Sequence, residues 1–434
     1  MTDQPTTSSA TLRAGNITKC LIKSVREEGK ESDISQGIVD FNYFESILDN
    51  TYRFRIGVVD SGQQGLTALR ELKMSGFEKA EIIFEDNFGE KLKFENENSL
   101  YVSNIKNVVT HTEKATYYLE LVSKEYLAND LCKTEVYARY DGEISESVEG
   151  ILKESLQTEK SYEADATKNN YNFIGQGKKP LKLCTELAKM AICEEAENSA
   201  GYFFYLTYDG FRFKAADMLF KQDPKRKLIY NSSTGTPDGY DDKILEYTAN
   251  STIDVKRNLM TGTYGSRVET YNPQNDEYDD EAQEVANEDQ EAQGGMDLPQ
   301  LGEEFKEKFG EVSRRFFRKL DIGEMPSGDI DDQLEKAIEE NIKATDVFAQ
   351  SAMRYNKLFT TQLTIKVPGD LGLRAGDVIK CDFPEQGDAT TQRPDKELSG
   401  FYMISDICYH MEPDVSLTKM NLIRDSFGRA TDSD

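Results

Sequence analysis

The sequence contains few residues of the types that usually act as general bases in catalysis. Only two histidines, His111 and His410, could act as general bases, and a serine or cysteine nucleophile usually needs one. Each lies in the middle of a β-rich run without an acidic partner at a fixed offset, so both are interpreted as structural residues. Two carboxylates can instead cleave a glycan, but among 79 Asp and Glu residues no specific pair stands out. A carboxylate-dependent glycan or peptidoglycan hydrolase therefore stays as the alternative function.

Metal ligation has equally little support. Zinc sites need converging Cys or His pairs at short spacing, and the nearest approach, Cys408-Tyr409-His410, lacks a second pair. The sequence therefore predicts no metal and no cofactor. The six cysteines have no CxxC spacing and are interpreted as free thiols in a reducing compartment: Cys20, Cys132, Cys184, Cys193, Cys381 and Cys408.

Two further motifs have features of ligand sites. The run 175–180, Gly-Gln-Gly-Lys-Lys-Pro, places backbone amides and two lysines before a helix start. It has neither GxxxxGK[ST] nor GxGxxG spacing, so a plain turn is favoured. An aromatic run at 202–213 could stack on sugars or bases, but strand alternation buries one face, and core packing accounts for most of it. That run contains Tyr202, Phe203, Phe204, Tyr205, Tyr208, Phe211 and Phe213.

The charge balance excludes several classes of function. The chain has 52 Lys and Arg against 79 Asp and Glu, a formal charge of −27, which disfavours gripping nucleic acid or an anionic membrane. A hydrophobic content of 38% is too high for a disordered chain, and a length of 434 residues suggests roughly two to four domains. No run reaches the roughly 18 apolar residues of a membrane helix, and the amino terminus lacks signal-peptide features. We therefore expect no membrane anchor and synthesis in a cytosol.

Hydrophobic periodicity divides the chain into β and α+β parts. Residues 16–130 are predicted to form a first β domain, because short β-rich runs alternate with tight turns. Residues 131–270 combine 3.6-residue apolar stripes with a hairpin, which is typical of an α+β unit. Residues 359–426 return to strands as a second β domain. The predicted fold class is mixed β and α+β, with two barrel-like domains flanking an α+β insertion.

Local signals refine this division. Short helices are expected at 43–48 and 65–74 within the first β domain, and the hairpin is expected to turn at Asp209-Gly210. Residues 1–15 and 427–434 are expected to be flexible ends.

The composition breaks between the α+β unit and the second β domain. Residues 271–296 are interpreted as an acidic, solvated loop, because residues 274–293 hold nine acids and no base. Calcium ligation is the sharper alternative, although no Asp-x-Asp-x-Asp-Gly loop is present. Residues 297–358 are predicted to form two amphipathic helices. Their apolar stripes are Phe305, Phe309, Val312, Phe316 and Leu320 on the first, and Leu334, Ile338, Ile342, Phe348 and Ala352 on the second.

The order of several segments resembles one known family. Leu121–Asn129 closes the first β domain, and Asn172–Gly175 precedes a helix at 180–191 and the hairpin at 202–213. The carboxy-terminal runs are Leu363–Asp370, Leu373–Ile379, Leu398–Ile404 and Thr418–Ser426. In this succession they resemble the tube-domain baseplate hub proteins of contractile-tailed phages, most similarly those of T-even-like myoviruses.

Membership would imply a non-enzymatic homotrimer in the virion tail baseplate, assembled in the host cytoplasm. Two β domains per chain would alternate around a pseudo-sixfold ring that adapts the tail tube to a threefold spike. The implied partners are further copies of the chain, the central spike protein, a tail tube or tube-initiator protein, the tape-measure protein and baseplate wedge proteins. DNA would be only a transient cargo in the channel, and some of the negative charge is expected to face it. The alternative function becomes a tail-associated hydrolase.

Edge strands are the expected means of ring closure, because paired edges satisfy each other's backbone groups. The candidate strands are Thr51 to Val59, Thr361 to Val367 and Ser416 to Arg424. The candidate ring-interface residues on them are Tyr52, Phe54, Ile56, Val58, Thr361, Leu363, Ile365, Val367, Leu417, Met420 and Leu422, and the predicted turn-forming residues are Gly369, Gly376, Asp377 and Gly400.

Overall fold

The structure is a computed structural model of the 434-residue chain. It describes residues 15–62, 66–86, 89–111, 114–196, 199–230, 243–249, 254–272, 277–278, 283–286, 292–310, 312–319, 329–331, 341–342, 344–385 and 394–428. Most of both predicted flexible ends, residues 1–14 and 429–434, lies outside the described residues.

The first β domain contains eight strands whose side chains alternate between core and surface. On β8 the buried residues include Tyr117, Leu119 and Leu121, as the period of two requires. The predicted helix at 43–48 is wrong, because Tyr43 and Glu45 continue the inward positions of a strand. A short helix does form within 65–74. The elements are β1 (Asn16–Lys23), β2 (Glu31–Asp33), β3 (Ile38–Ser46), β4 (Arg53–Asp60), α1 (Ala68–Glu71), β5 (Lys79–Glu85), β6 (Lys91–Phe94), β7 (Leu100–Thr110), β8 (Ala115–Ser123) and α2 (Lys124–Ala128).

The middle unit packs two amphipathic helices beside a small sheet, as the 3.6-residue stripes predict. Val148, Ile151 and Leu187 are buried between the helices and the sheet, and the hairpin turns at Asp209-Gly210. The elements are β9 (Arg139–Tyr140), α3 (Ile144–Glu154), β10 (Tyr162–Ala164), β11 (Phe173–Ile174), α4 (Pro180–Ala188), β12 (Tyr202–Thr207), β13 (Gly210–Ala215) and α5 (Ala216–Phe220).

The described parts of residues 254–358 form a separate four-stranded sheet with two helices packed against it. Where one long helix was predicted through Phe316, the helix instead ends at Gly310, which has φ +79°, and the chain continues as a strand. Part of the predicted acidic loop is also strand. The elements are α6 (Val255–Thr261), β17 (Gly265–Asn272), β18 (Glu277–Tyr278), β19 (Gln283–Ala286), α7 (Glu303–Phe309), β20 (Arg314–Lys319) and α8 (Ala344–Lys357). Of the predicted stripe residues, Leu320, Leu334 and Ile338 lie outside the described residues.

The carboxy-terminal strands are joined by three earlier ones. Strand β14 (Lys227–Tyr230) pairs with β22 (Val378–Asp382), and β16 (Glu246–Ala249) pairs with β21 (Thr361–Pro368). The sequence predicts that these residues belong to the α+β unit, yet residues 227–230 and 243–249 extend the sheet of the second β domain. The remaining strands are β15 (Lys243–Ile244), β23 (Gly400–Glu412) and β24 (Val415–Arg424).

The predicted turns connect these strands. Gly376, at φ +91°, lies in a tight turn in which the Asp377 amide donates to the Arg374 carbonyl at 3.2 Å. Gly369 follows β21, where a Cβ would lie 2.2 Å from Ser416 Oγ. Gly400 begins β23.

One antiparallel path of strands runs through both β domains, in the order β16-β21-β24-β23-β3-β4-β8-β7. We call it the junction sheet. The mixed β and α+β prediction is confirmed, but the described strands do not close into barrels, because β16 pairs on one side only and β7 pairs on its second side only at Leu100 and Tyr101. No helix in the described part of the chain is long and apolar enough to span a membrane.

Candidate assembly site

The two β domains meet through backbone pairing of β3 with β23. Six residue pairs align antiparallel, from Asp406 opposite Ser46 to Met411 opposite Phe41. Strand β23 reaches this position because its 13 residues exceed the span paired with β22, which ends at Met403. The domains are therefore joined edge to edge within one chain.

A buried carboxylate lies beneath this junction. Glu45 on β3 is 2% exposed, and its Oε1 accepts the Tyr208 amide at 2.8 Å while Oε2 accepts the Ala375 amide at 3.2 Å. The Tyr43 hydroxyl also donates to Oε1. Burial raises the pKa of Glu45, and Arg374 and these donors oppose that rise. One side chain thus ties the first β domain, the α+β hairpin and the second β domain together.

Arg374 provides the matching positive charge. Its Nη1 donates to the carbonyls of Leu371 and Leu373 at 2.6 and 2.7 Å. Its Nε lies 3.2 Å from Asp209 Oδ2, and its guanidinium lies 5.2 Å from the Tyr208 ring centroid. The guanidinium therefore binds the turn before β22 to the hairpin of the α+β unit.

The opposite face of the junction sheet is polar and exposed. Across its centre lies a depression of ≈ 590 Å³, whose lining includes Phe44, Cys408 and His410. His410 Nδ1 lies 2.8 Å from Asn42 Oδ1, and its Nε2 lies 3.3 Å from Glu412 Oε1. This histidine does have acidic neighbours, which the sequence offsets did not reveal, but no nucleophile is hydrogen-bonded to it among the described contacts.

The predicted ring-interface residues do not lie at free edges. Strands β4, β21 and β24 each pair on both sides, so the edge interpretation of these strands is wrong. Their apolar side chains point into the core because period-two alternation places them there. Tyr52, Phe54, Ile56, Val58, Leu363, Ile365, Val367, Met420 and Leu422 are 0–3% exposed, Thr361 is 5% exposed, and Leu417 is half-buried on the polar face.

The unpaired sides lie elsewhere. Residues 103–110 of β7 pair with β8 only, and β16 pairs with β21 only, among the strands that the structure describes. Val108 and Val109 on β7 are 45% and 49% exposed. These two segments are the ends of the junction sheet. An exposed strand edge of this kind is an open template for pairing.

The other predicted sites behave as ordinary structure. Gly175 to Gly177 form a turn, and the two lysines that follow contact acids: Lys178 lies 2.7 Å from Glu186, and Lys179 lies 3.4 Å from Glu135. In the run at 202–213 all the aromatic residues except Tyr208 are buried, which confirms core packing. His111 follows β7 and is exposed.

One group of acids has ligand-like spacing. The carboxylates of Asp86, Glu90 and Asp370 lie within 4.8 Å of one another. Asp86 already accepts the amides of Glu90 and Leu371, each at 2.9 Å, and Asp370 lies 2.9 Å from Arg226 Nε. Through these hydrogen bonds and this ion pair, the cluster connects the β5–β6 loop to the second β domain.

A second buried carboxylate, that of Asp425, binds the backbone near the end of the acidic region at residues 271–296. Asp425 Oδ1 and Oδ2 lie 2.9 and 3.0 Å from the Gln293 amide, and Ser426 Oγ donates to Oδ1 at 2.7 Å. Burial raises the pKa of Asp425 from 3.8 to about 7, because the charged form loses its hydration. Asp217 adds to this rise and Arg354 opposes it.

This carboxylate predicts a specific pH dependence of stability. Its pKa is higher in the folded chain than in the unfolded chain, so folding takes up a proton between about pH 4 and pH 7. The free energy of unfolding should therefore fall as pH rises through that window, by about 4 kcal/mol for this group. Asp425→Asn should remove that part of the slope in urea unfolding measured at a series of pH values. Asp414→Asn, on the exposed turn before β24, is the matched control, and an unchanged slope in Asp425→Asn would contradict the assignment.

Comparison with known proteins gives the class of the fold. No family model and no curated protein matches the chain. Solved structures do match it, and tail proteins are among them, so the predicted resemblance to phage tail proteins is confirmed at the level of the fold.

Two of these structures cover nearly the whole chain. The prophage MuSo2 43 kDa tail protein from Shewanella oneidensis matches 94% of this chain and 99% of its own, with a TM-score of 0.53 and 9% identity. The tail protein from Neisseria meningitidis MC58 matches 94% of this chain and 96% of its own, with a TM-score of 0.52 and 11% identity. At these identities the shared property is the fold.

Proposed function

We propose that the chain is a structural baseplate hub of a contractile phage tail, without enzymatic activity, that assembles as a homotrimeric ring in the virion. The observation that carries the proposal is the junction sheet. It consists of four strands from the second β domain followed by four from the first, all antiparallel and continuous through the β3–β23 pairing.

Three copies of the junction sheet would supply a number of strands that fits a closed ring. Three times eight strands gives 24, in six groups of four, so a threefold assembly would contain six similar β units. Pairing β16 of one copy with residues 103–110 of β7 of the next would close the sheet and remove both open edges. The intramolecular β3–β23 junction would then be the model for the contact between copies.

The polar face of the junction sheet would line the channel. It carries nearly balanced charge rather than the excess of acid expected from the net charge of −27, so DNA would pass without strong attraction. The charged residues are Arg53, Arg55, Lys106, Lys366 and Lys419 against Asp40, Glu120, Glu246, Asp406 and Glu412.

The remaining partners follow from this role. One face of the ring would bind the central spike protein, and the other would bind the tail tube or its initiator. Tape-measure and wedge proteins would contact the same assembly. The tail-protein fold supports this placement.

Light scattering of the purified protein tests the assembly. The expected mass is three times 49.2 kDa at micromolar concentration. Val109→Asp should shift the equilibrium toward monomer by about tenfold or more, because aspartate is disfavoured in strands and its carboxylate would lie on the same polar face as Glu246 of the adjoining β16, a like charge across the new pairing. Val25→Asp, at a position 58% exposed and outside the junction sheet, should remain trimeric. A stable monomer of the unmodified chain would contradict the proposal.

A further inference from the structure

Another open strand edge lies outside the junction sheet. In the sheet of residues 254–358, β20 pairs in parallel with β17, and no strand in the described part of the chain pairs with its other side. Its sequence is Arg-Arg-Phe-Phe-Arg-Lys, so four of six residues are cationic in a chain of net charge −27. We infer that β20 accepts an extended strand of a partner protein that carries acidic, apolar and acidic residues at successive alternate positions.

The alternation along β20 defines this pattern. Phe316 faces Val268 and Met353 in the small core under the sheet. Arg315, Phe317 and Lys319 lie on the opposite, exposed face. A strand added to the free side would place every second side chain beside these three residues. Opposite charges and apolar pairs in such positions stabilise the pairing of strands.

The exposed face also offers an apolar centre. Phe317 is 54% exposed and Tyr278 is 65% exposed. The Phe317 ring centroid lies 6.0 Å from that of Tyr278 and 6.4 Å from that of Tyr271. Three clustered rings at the surface are a suitable contact for an apolar or aromatic side chain of the incoming strand.

Charge decides between the possible occupants. A second copy of β20 would bring cations against cations, which disfavours pairing between like strands. The acidic strands of the same chain, β18 and β19, already pair with β17. An acidic strand of a different protein remains the occupant that the edge fits. The competing interpretation is that the cations merely protect the edge from any pairing.

Hydrogen exchange of the full-length protein with a short synthetic peptide tests this inference. The probe peptide has threonine at every second position and glutamate, phenylalanine and glutamate, in that order, at the positions between. The control peptide has lysine in place of each glutamate. The glutamate peptide should slow exchange of the amides at 314–319, and its affinity should exceed that of the lysine peptide by about tenfold or more. Equal binding of both peptides, or no change in exchange with either, would overturn the inference. The inference would also be overturned if, without peptide, the backbone amides on both sides of β20 were already protected from hydrogen exchange.

Variants separate this edge from general electrostatics. Arg315→Glu with Lys319→Glu should abolish binding of the glutamate peptide and create binding of the lysine peptide, a reversal that misfolding cannot produce. Lys91→Glu with Lys93→Glu makes the same change of charge at the two exposed positions of β6, which pairs only with β5 among the described strands, and should leave the preference unchanged. Loss of binding in the β6 variant would instead assign the effect to net charge.

Discussion

Replacing Glu45 by alanine should destabilise the folded chain by about 3–5 kcal/mol. The carboxylate is buried and accepts hydrogen bonds from the Tyr208 and Ala375 amides and from the Tyr43 hydroxyl. Alanine would leave these three donors without an acceptor and would leave Arg374 without one of its neighbouring negative charges. Equilibrium unfolding in urea measures the loss.

Two controls identify the cause of that loss. Glu45→Gln keeps one acceptor oxygen and should lose less than half as much stability. Glu412→Ala removes a carboxylate that is 55% exposed on β23 and should cost about 1 kcal/mol or less. If Glu45→Ala were as mild as Glu412→Ala, the three units would not be held together at this residue.

Replacing Phe54 by alanine should cost about 3–5 kcal/mol, because it empties the centre of an aromatic core. Phe54 is 1% exposed, and its ring centroid lies 4.5 Å from that of Tyr43 and 4.8 Å from that of Phe94. The lost stability should be the same at every protein concentration, since the contact lies within one chain. Urea unfolding at several dilutions measures both properties.

The neighbouring residue on the same strand provides the control. Arg55 lies on the polar face, 4.7 Å from the Tyr118 ring centroid, and Arg55→Ala should cost about 1 kcal/mol or less. If Phe54→Ala lowered the free energy of unfolding only near the concentration at which the trimer dissociates, Phe54 would contribute to the contact between copies, as predicted from the sequence.

Sequence periodicity predicted most of the architecture. The period-two runs at Tyr117–Leu121 and Leu363–Val367 are strands, and the stripes of α3 and α4 are buried as expected. The helices expected at 43–48 and through Phe316 failed, because a short apolar run fits either period until its partner is known. For β3 that partner is remote: Ser46 donates to Asp406 at 2.7 Å across 360 positions.

The candidate site was less predictable. Alternation identifies which residues face inward, but whether a strand is an edge depends on which strands pair, and the predicted edge strands proved to be interior ones. Glu45 had a usable signal, because it continues the inward positions of Phe41 and Tyr43. Its hydrogen-bond partners come from residues far along the chain, so the junction beneath the sheet required the three-dimensional structure.

Electron microscopy of the purified protein tests the central claim most directly. We expect threefold rings with six similar β units around an open centre, in which β16 of each copy pairs with β7 of the next. Isolated chains, or an assembly in which β16 and residues 103–110 of β7 remain unpaired, would contradict the account.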